Sequence, residues 1–149
     1  MSTARLFTPG EAHRITGVSP ETALAWRRRG LWTSGEDGKH VRYDLRGLCA
    51  LKLVRALIEA GIPIGSTVET IGNDFLDPMQ NALLATRRKH LSTAYAVILK
   101  KGDALYRVTV FDLANLAELA SPECVEWDTT IIINLGSLAR EMAAFGALD

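Results

Sequence analysis

The 149-residue chain is 48% hydrophobic and 23% charged, ordinary usage for a folded domain and unlike a disordered tail. Seventeen Lys and Arg balance seventeen Asp and Glu, so the formal net charge is zero and a protein coated throughout in basic charge is excluded. The length fits one ordinary domain or two very small ones, and a chain of this size hides roughly two-thirds of its unfolded surface.

The charge is unevenly placed. Residues 1–60 hold ten basic residues (Arg5, Arg14, Arg27, Arg28, Arg29, Lys39, Arg42, Arg46, Lys52 and Arg55) against six acidic ones, and residues 61–149 hold seven against eleven. The split suggests a basic binding module joined to an acidic one. Cys49 and Cys124 lie far apart, with no CxxC pair and no Cys/His cluster at zinc spacing, and Cys49 reads as a small core residue in the run LCALKLV. The start MSTARLFTPG lacks the apolar stretch of a signal peptide, and no run approaches the roughly 20 residues of a membrane helix. The expected location is the cytoplasm, at the nucleoid, with no membrane partner.

In chain order, Thr8-Pro9-Gly10-Glu11 carries the signature of a capped helix start: a capping hydroxyl, proline at the first helical position and an acid able to close a capping box. This helix is short and ends near Gly17. Ser19-Pro20-Glu21 repeats the start signal, and the helix ETALAWRRR runs to Gly30. Two short helices joined at Gly17-Val18 are a helix-turn-helix candidate. The turn-rich TSGEDGK, flanked by Trp32, Val41 and Tyr43, reads as a hairpin, or wing. Asp44 opens a longer helix that Gly61 and Pro63 end.

A short helix over 66–71, a break over 73–78 and a helix over 79–91, with Leu83, Leu84 and Leu91 as its apolar positions, are expected next. AYAVIL and LYRVTVF read as strands, the second with Tyr106, Val108 and Val110 on one face. DLANLAELA is a helix capped by Asp112, TTIIINL a third strand, and 137–145 a last helix with Leu138, Met142 and Phe145 inward. The predicted fold class is α+β. A winged helix-turn-helix domain over 1–75 precedes a small β-β-α-β-α domain over 76–149, whose core is small enough to need completion by a second copy.

FTPGEAHRITGVSPETALAWRRRGLW, a variable loop and HVRYDLRGLCALKLVRALIEAGIPIGSTVETI together resemble the MerR-type winged helix-turn-helix. The matching features come in order: a Gly-Glu start, a Thr-Gly-Val-Ser turn, a recognition helix ending in Arg-x-Gly-Leu, a wing closing on Arg-Tyr, and a helix ending in Gly-Ile-x-Ile. The resemblance covers somewhat under half of the chain. It implies a transcriptional regulator that binds an inverted repeat as a dimer and bends or untwists the duplex. Where the family usually carries Arg-Tyr-Tyr in mid-recognition helix, this chain has Leu24, Ala25 and Trp26, with Trp26 in place of the second aromatic. The cysteines of metal-sensing members and the DxHxxG signature of cobalamin-binding members are absent. The Trp-Arg-x-x-Gly-Leu variant is also similar to recognition helices of phage excisionases and small terminase subunits.

The physics of DNA recognition names the same surface. A recognition helix puts its N-terminal residues near base edges, here Ser19 and Thr22, and the arginines of its last turn follow. Arg28 shares helix phase with Leu24 and Ala25, whereas three successive arginines cannot all face one groove. The DNA-binding candidates are Ser19, Thr22, Trp26, Arg27 and Arg28 on the helix, and Lys39, His40, Arg42 and Tyr43 in the wing. Arg14 is a further backbone contact. Such phosphate contacts position the protein and make affinity fall steeply with salt.

Enzymatic readings find no purchase. His13, His40 and His90 have no metal spacing, no GxGxxG or P-loop occurs, and the carboxylates of the acidic half need no catalytic role. No cofactor, metal or catalytic residue is expected. The partners expected are double-stranded DNA and a second copy bound through the C-terminal half. Two alternatives keep part of this reading: a phage-type packaging, excision or architectural DNA-binding protein, and a protein-interaction module whose winged domain no longer binds DNA.

Overall fold

The computed structural model describes residues 5–29, 41–62, 66–119 and 127–149. Helix α1 spans Pro9–Thr16 and α2 spans Pro20–Arg28. Both begin as their cap sequences dictate. The Thr8 hydroxyl accepts from the Glu11 N–H at 3.2 Å while the Glu11 carboxylate accepts from the Thr8 N–H at 2.8 Å, closing a capping box. The Ser19 hydroxyl accepts from the Thr22 N–H at 3.2 Å, and Pro20 occupies the first turn.

Helix α3, Leu45–Glu59, is capped by Asp44, whose carboxylate accepts from the Gly47 N–H at 2.7 Å. Leu48, Cys49, Leu51, Leu53, Val54 and Leu57 are buried around most of its circumference, so α3 is the central helix of the core. Just before it, Tyr43 pairs with Phe7 in a two-residue antiparallel bridge whose N–H···O distances are 2.7 and 2.9 Å. The segment expected to form the wing, from Trp32 to His40, lies outside the described residues.

Helix α4 spans Ser66–Arg87 as one 22-residue helix with Pro78 inside it. The expected break over 73–78 is therefore absent. Phe75, Leu76, Met79, Ala82 and Leu83 are buried and continue one helical stripe straight through the proline, packed against α3 and the C-terminal helix. A fully buried large apolar side chain stabilises by about 1.5–3 kcal/mol, and an interior proline costs about 3 kcal/mol. Several such side chains outweigh one proline. The polar residues that suggested a loop are tied down elsewhere: Asp74 pairs with Arg107, and Asp77 with Arg46 at 2.5 Å. The helix ends at Arg87, and Leu84 and Leu91, expected inward, are 37% and 78% exposed.

Strands β1 (Tyr95–Lys101), β2 (Ala104–Val110) and β3 (Thr129–Asn134) form an antiparallel sheet in the order β2-β1-β3. Helix α5, Leu113–Leu119, lies between β2 and β3 in sequence, and Asp112 caps it by accepting from the Asn115 N–H at 2.7 Å. Helix α6, Leu135–Ala144, follows β3 at once, capped by Asn134.

The register gives the sheet two unlike faces. Ala96, Ile98, Leu105, Ile131 and Ile133 point to the helices and join one core that extends from Phe7 to Ala147. Val97, Leu99 and Val110 cluster with Tyr95 and Trp127 on the other face. Tyr106 and Val108 share that outer face with Val110, being paired to Leu99 and Val97.

Helix α6 packs on α1, α3, α4 and β1, so the end of the chain braces its beginning. Met142 is fully buried in that contact, whereas Phe145, expected inward, follows the last helical residue and is 51% exposed. The Lys52 ammonium, nearly buried on α3, meets the Glu141 carboxylate of α6 at 3.0 Å. No helix among the described residues is long and apolar enough to cross a membrane.

Candidate nucleic-acid interface

Helix α2 leaves one side in the core and presents the other. Ala23 and Trp26 are buried, while Glu21, Thr22, Leu24, Ala25, Arg28 and Arg29 are exposed. The Ser19 hydroxyl, besides capping the helix, donates to the Thr22 hydroxyl at 2.9 Å, so the two hydroxyls form one polar edge at the start of the helix. Of the residues named from sequence, Ser19 is half-buried at the cap, and Thr22 and Arg28 are exposed near the two ends of α2.

The others divide. Trp26 is only 6% exposed and packs in the core, so it serves the fold and is not presented to a groove. Tyr43 is 4% exposed, held by its bridge to Phe7. Burial pushes its phenol up from the ordinary value, and the nearby charge of half-buried Arg27 works in the opposite direction. Arg42 is half-buried and donates to the Val41 carbonyl at 2.9 Å, with its backbone leading out of the α2–α3 connection. Lys39 and His40 lie outside the described residues. Arg14 is exposed at the end of α1, with its guanidinium beside the turn at Gly146.

The turn between the helices is built around Gly17. Its φ of 77° lies in the left-handed region that a side chain disfavours. A Cβ there would also overlap the guanidinium of Arg55, which reaches in from α3. Arg55 donates through Nη1 to the Thr16 carbonyl at 3.2 Å and through Nε to Glu59 at 2.9 Å. A shallow cleft of about 240 Å³ lies here, lined by Gly17, Val18, Ser19, Thr22, Trp26 and Arg55. In the sequence Arg55 stands out only as one of the ten basic residues of the first sixty. No spacing rule links it to a turn 39 residues earlier; the one trace is the glycine that makes room for it.

Two capped helices at a tight left-handed turn, backed by a third helix, define a helix-turn-helix unit. Residues 7–70 match the family model described as MerR HTH family regulatory protein. The N-terminal part of the chain thus matches a MerR-type helix-turn-helix, and the sheet and α6 lie beyond the matched region. No curated protein matches the chain.

Proposed function

We propose that the chain is a sequence-specific DNA-binding transcriptional regulator that works as a homodimer on an inverted repeat. The observation that carries this reading is the exposed flank of α2, with Thr22 at its start and Arg28 at its end, on a unit that matches a regulator family. Docked in a major groove, the exposed side of α2 faces base edges, and Arg28 with the connection around Lys39, His40 and Arg42 meets phosphates. Residues 1–75 supply the DNA contact, with a wing between α2 and α3. Residues 76–149 supply the β-β-α-β-α part that joins two copies, and the apolar outer face of the sheet supports that pairing. A dimer is what gives one small module useful specificity, because two half-sites add their discrimination.

The test is selection of the intact protein against randomised duplexes, followed by salt titration of the selected site. Enrichment of an inverted repeat supports the reading. Arg28→Ala combined with Arg42→Ala should weaken binding at least tenfold and flatten the salt dependence; unchanged affinity and slope would remove the DNA-contact assignment.

One observation favours a second reading. Leu24 stands 39% exposed on the recognition helix, where the family usually carries arginine. An apolar residue on that flank suits a protein-interaction module. Failure of the intact chain to shift any duplex in a gel would favour it.

A further inference from the structure

We propose that Arg55 is a DNA-backbone contact: with the Thr22 hydroxyl, which Ser19 orients by donating to it, it seats a phosphodiester in the cleft beside the helix-turn-helix turn. The proposal rests on the DNA-binding reading above and adds to it a residue from outside the two helices.

The chemistry of the cleft is that of an anion seat. It is lined by Arg55, Ser19, Thr22, Val18, Trp26 and Gly17; with Nε on Glu59 and Nη1 on the Thr16 carbonyl, Arg55 keeps its Nη2 hydrogens to donate, and Thr22 keeps its hydroxyl hydrogen. Arginine N–H groups and threonine hydroxyls are common donors to DNA phosphates. The cation is held in place before any ligand arrives. Its bonds to the Thr16 carbonyl and to Glu59 fix the plane of the group, and its side chain remains 41% exposed. Gly17, which its positive φ favours in any case, also leaves the room the guanidinium occupies.

Location selects the source of the phosphate. The cleft is open and lies along the first turn of α2, next to the flank that the DNA-binding reading turns toward the duplex. A backbone that passes Thr22 therefore passes Arg55. Glu59 tempers this site, because its carboxylate lies 2.9 Å from the Arg55 Nε and offsets part of the charge.

The experiment measures binding of the intact protein to a mixed-sequence duplex at several salt concentrations. Arg55→Gln should weaken binding about tenfold, and should lower the slope of log K against log salt by about 1 per protomer, uniformly across sequences. Arg55→Lys should keep most of the slope. Glu59→Gln, which leaves Arg55 in place, should tighten binding about two- to threefold. If Arg55→Gln remains folded with unchanged slope, or if Glu59→Gln changes nothing, Arg55 is only a brace for the turn and the proposal fails. Loss of affinity in Arg28→Ala beside an unaffected Arg55→Gln would overturn this seat alone. A wild-type chain that binds no duplex at any salt would overturn the DNA reading and the seat with it.

Discussion

At the scale of single residues, burial separates the side chains that hold the fold from those left exposed on α2. Cys49 is fully buried on α3, and burial pushes its thiol up to about 12 from an ordinary value near 9. A thiol so raised is almost wholly protonated at neutral pH and is shielded from reagents. In a Cys124→Ser background, a thiol reagent at pH 8 should therefore leave Cys49 unlabelled in the native protein and label it fully in denaturant. Fast native labelling would contradict the packing of α3. The linkage has a definite sign. The folded-state value is raised, so the contribution of the neutral thiol is fully present below about 9. It is lost as pH rises from there toward about 12, and stability measured across that alkaline window should fall. Residue-level signals that act over three or four positions were readable from sequence, as the caps at Thr8, Ser19, Asp44 and Asp112 show. Trp26 and Arg55 were not. Whether an indole faces a groove or a core, and which distant turn an arginine braces, is decided by the packing of α3 behind the two helices.

At the scale of elements, α4 shows how local propensity loses to burial. Asn73, Asp74, Asp77 and Pro78 form a loop-like cluster, and sequence favoured two helices around it. The apolar stripe through Phe75, Met79 and Leu83 carries the opposite message, and its burial prevails. Pro78 then sits in a helix interior, where it donates no hydrogen bond to the preceding turn. Pro78→Ala should thus stabilise the protein by about 1 kcal/mol, less than the full interior penalty because the surrounding helix has already adapted and the unfolded chain regains freedom. Urea denaturation with an unchanged slope is the measurement. A destabilised Pro78→Ala would mean that the proline begins a separate helix, as the sequence pattern alone suggested. The same reasoning covers the ends of the element. Leu84 and Leu91 looked like core by composition, yet they lie off the stripe or past Arg87, where no element covers them.

At the scale of the whole molecule, the zero net charge bears on how the proposed DNA contact would be made. On the proposed reading the basic half would meet phosphates along α2 and its neighbours, so non-specific attraction would be modest and a second copy would supply the rest of the affinity. The outer face of the sheet is the surface proposed for it. On its outer face Tyr106, Val108 and Ile132 are 55%, 38% and 50% exposed, adjoining the small cluster of Val97, Leu99 and Val110. Tyr106 meets Trp127 edge-on at 5.1 Å, giving the patch an aromatic anchor of the kind that dominates interfaces. A twofold axis over this face would bury the patch against itself, and a stable interface needs about 800 Å² from each copy. Since α6 runs from the end of β3 to α1 and α3, and the Lys52–Glu141 pair fastens it there, two sheets joined in this way would hold the two copies of α2 at a set separation. Ile132→Glu places a charge in the middle of the joined faces while leaving the helix-facing core untouched. At micromolar concentration, light scattering should report a dimer for the wild type and a monomer for the variant, with similar melting of the remaining fold. On an inverted repeat the variant should lose at least a hundredfold in affinity, and its salt slope should fall toward half, because one set of phosphate contacts is lost with the second copy. A variant that remains dimeric would place the interface elsewhere on the chain, whereas a monomeric wild type with full site affinity would remove the requirement for pairing altogether.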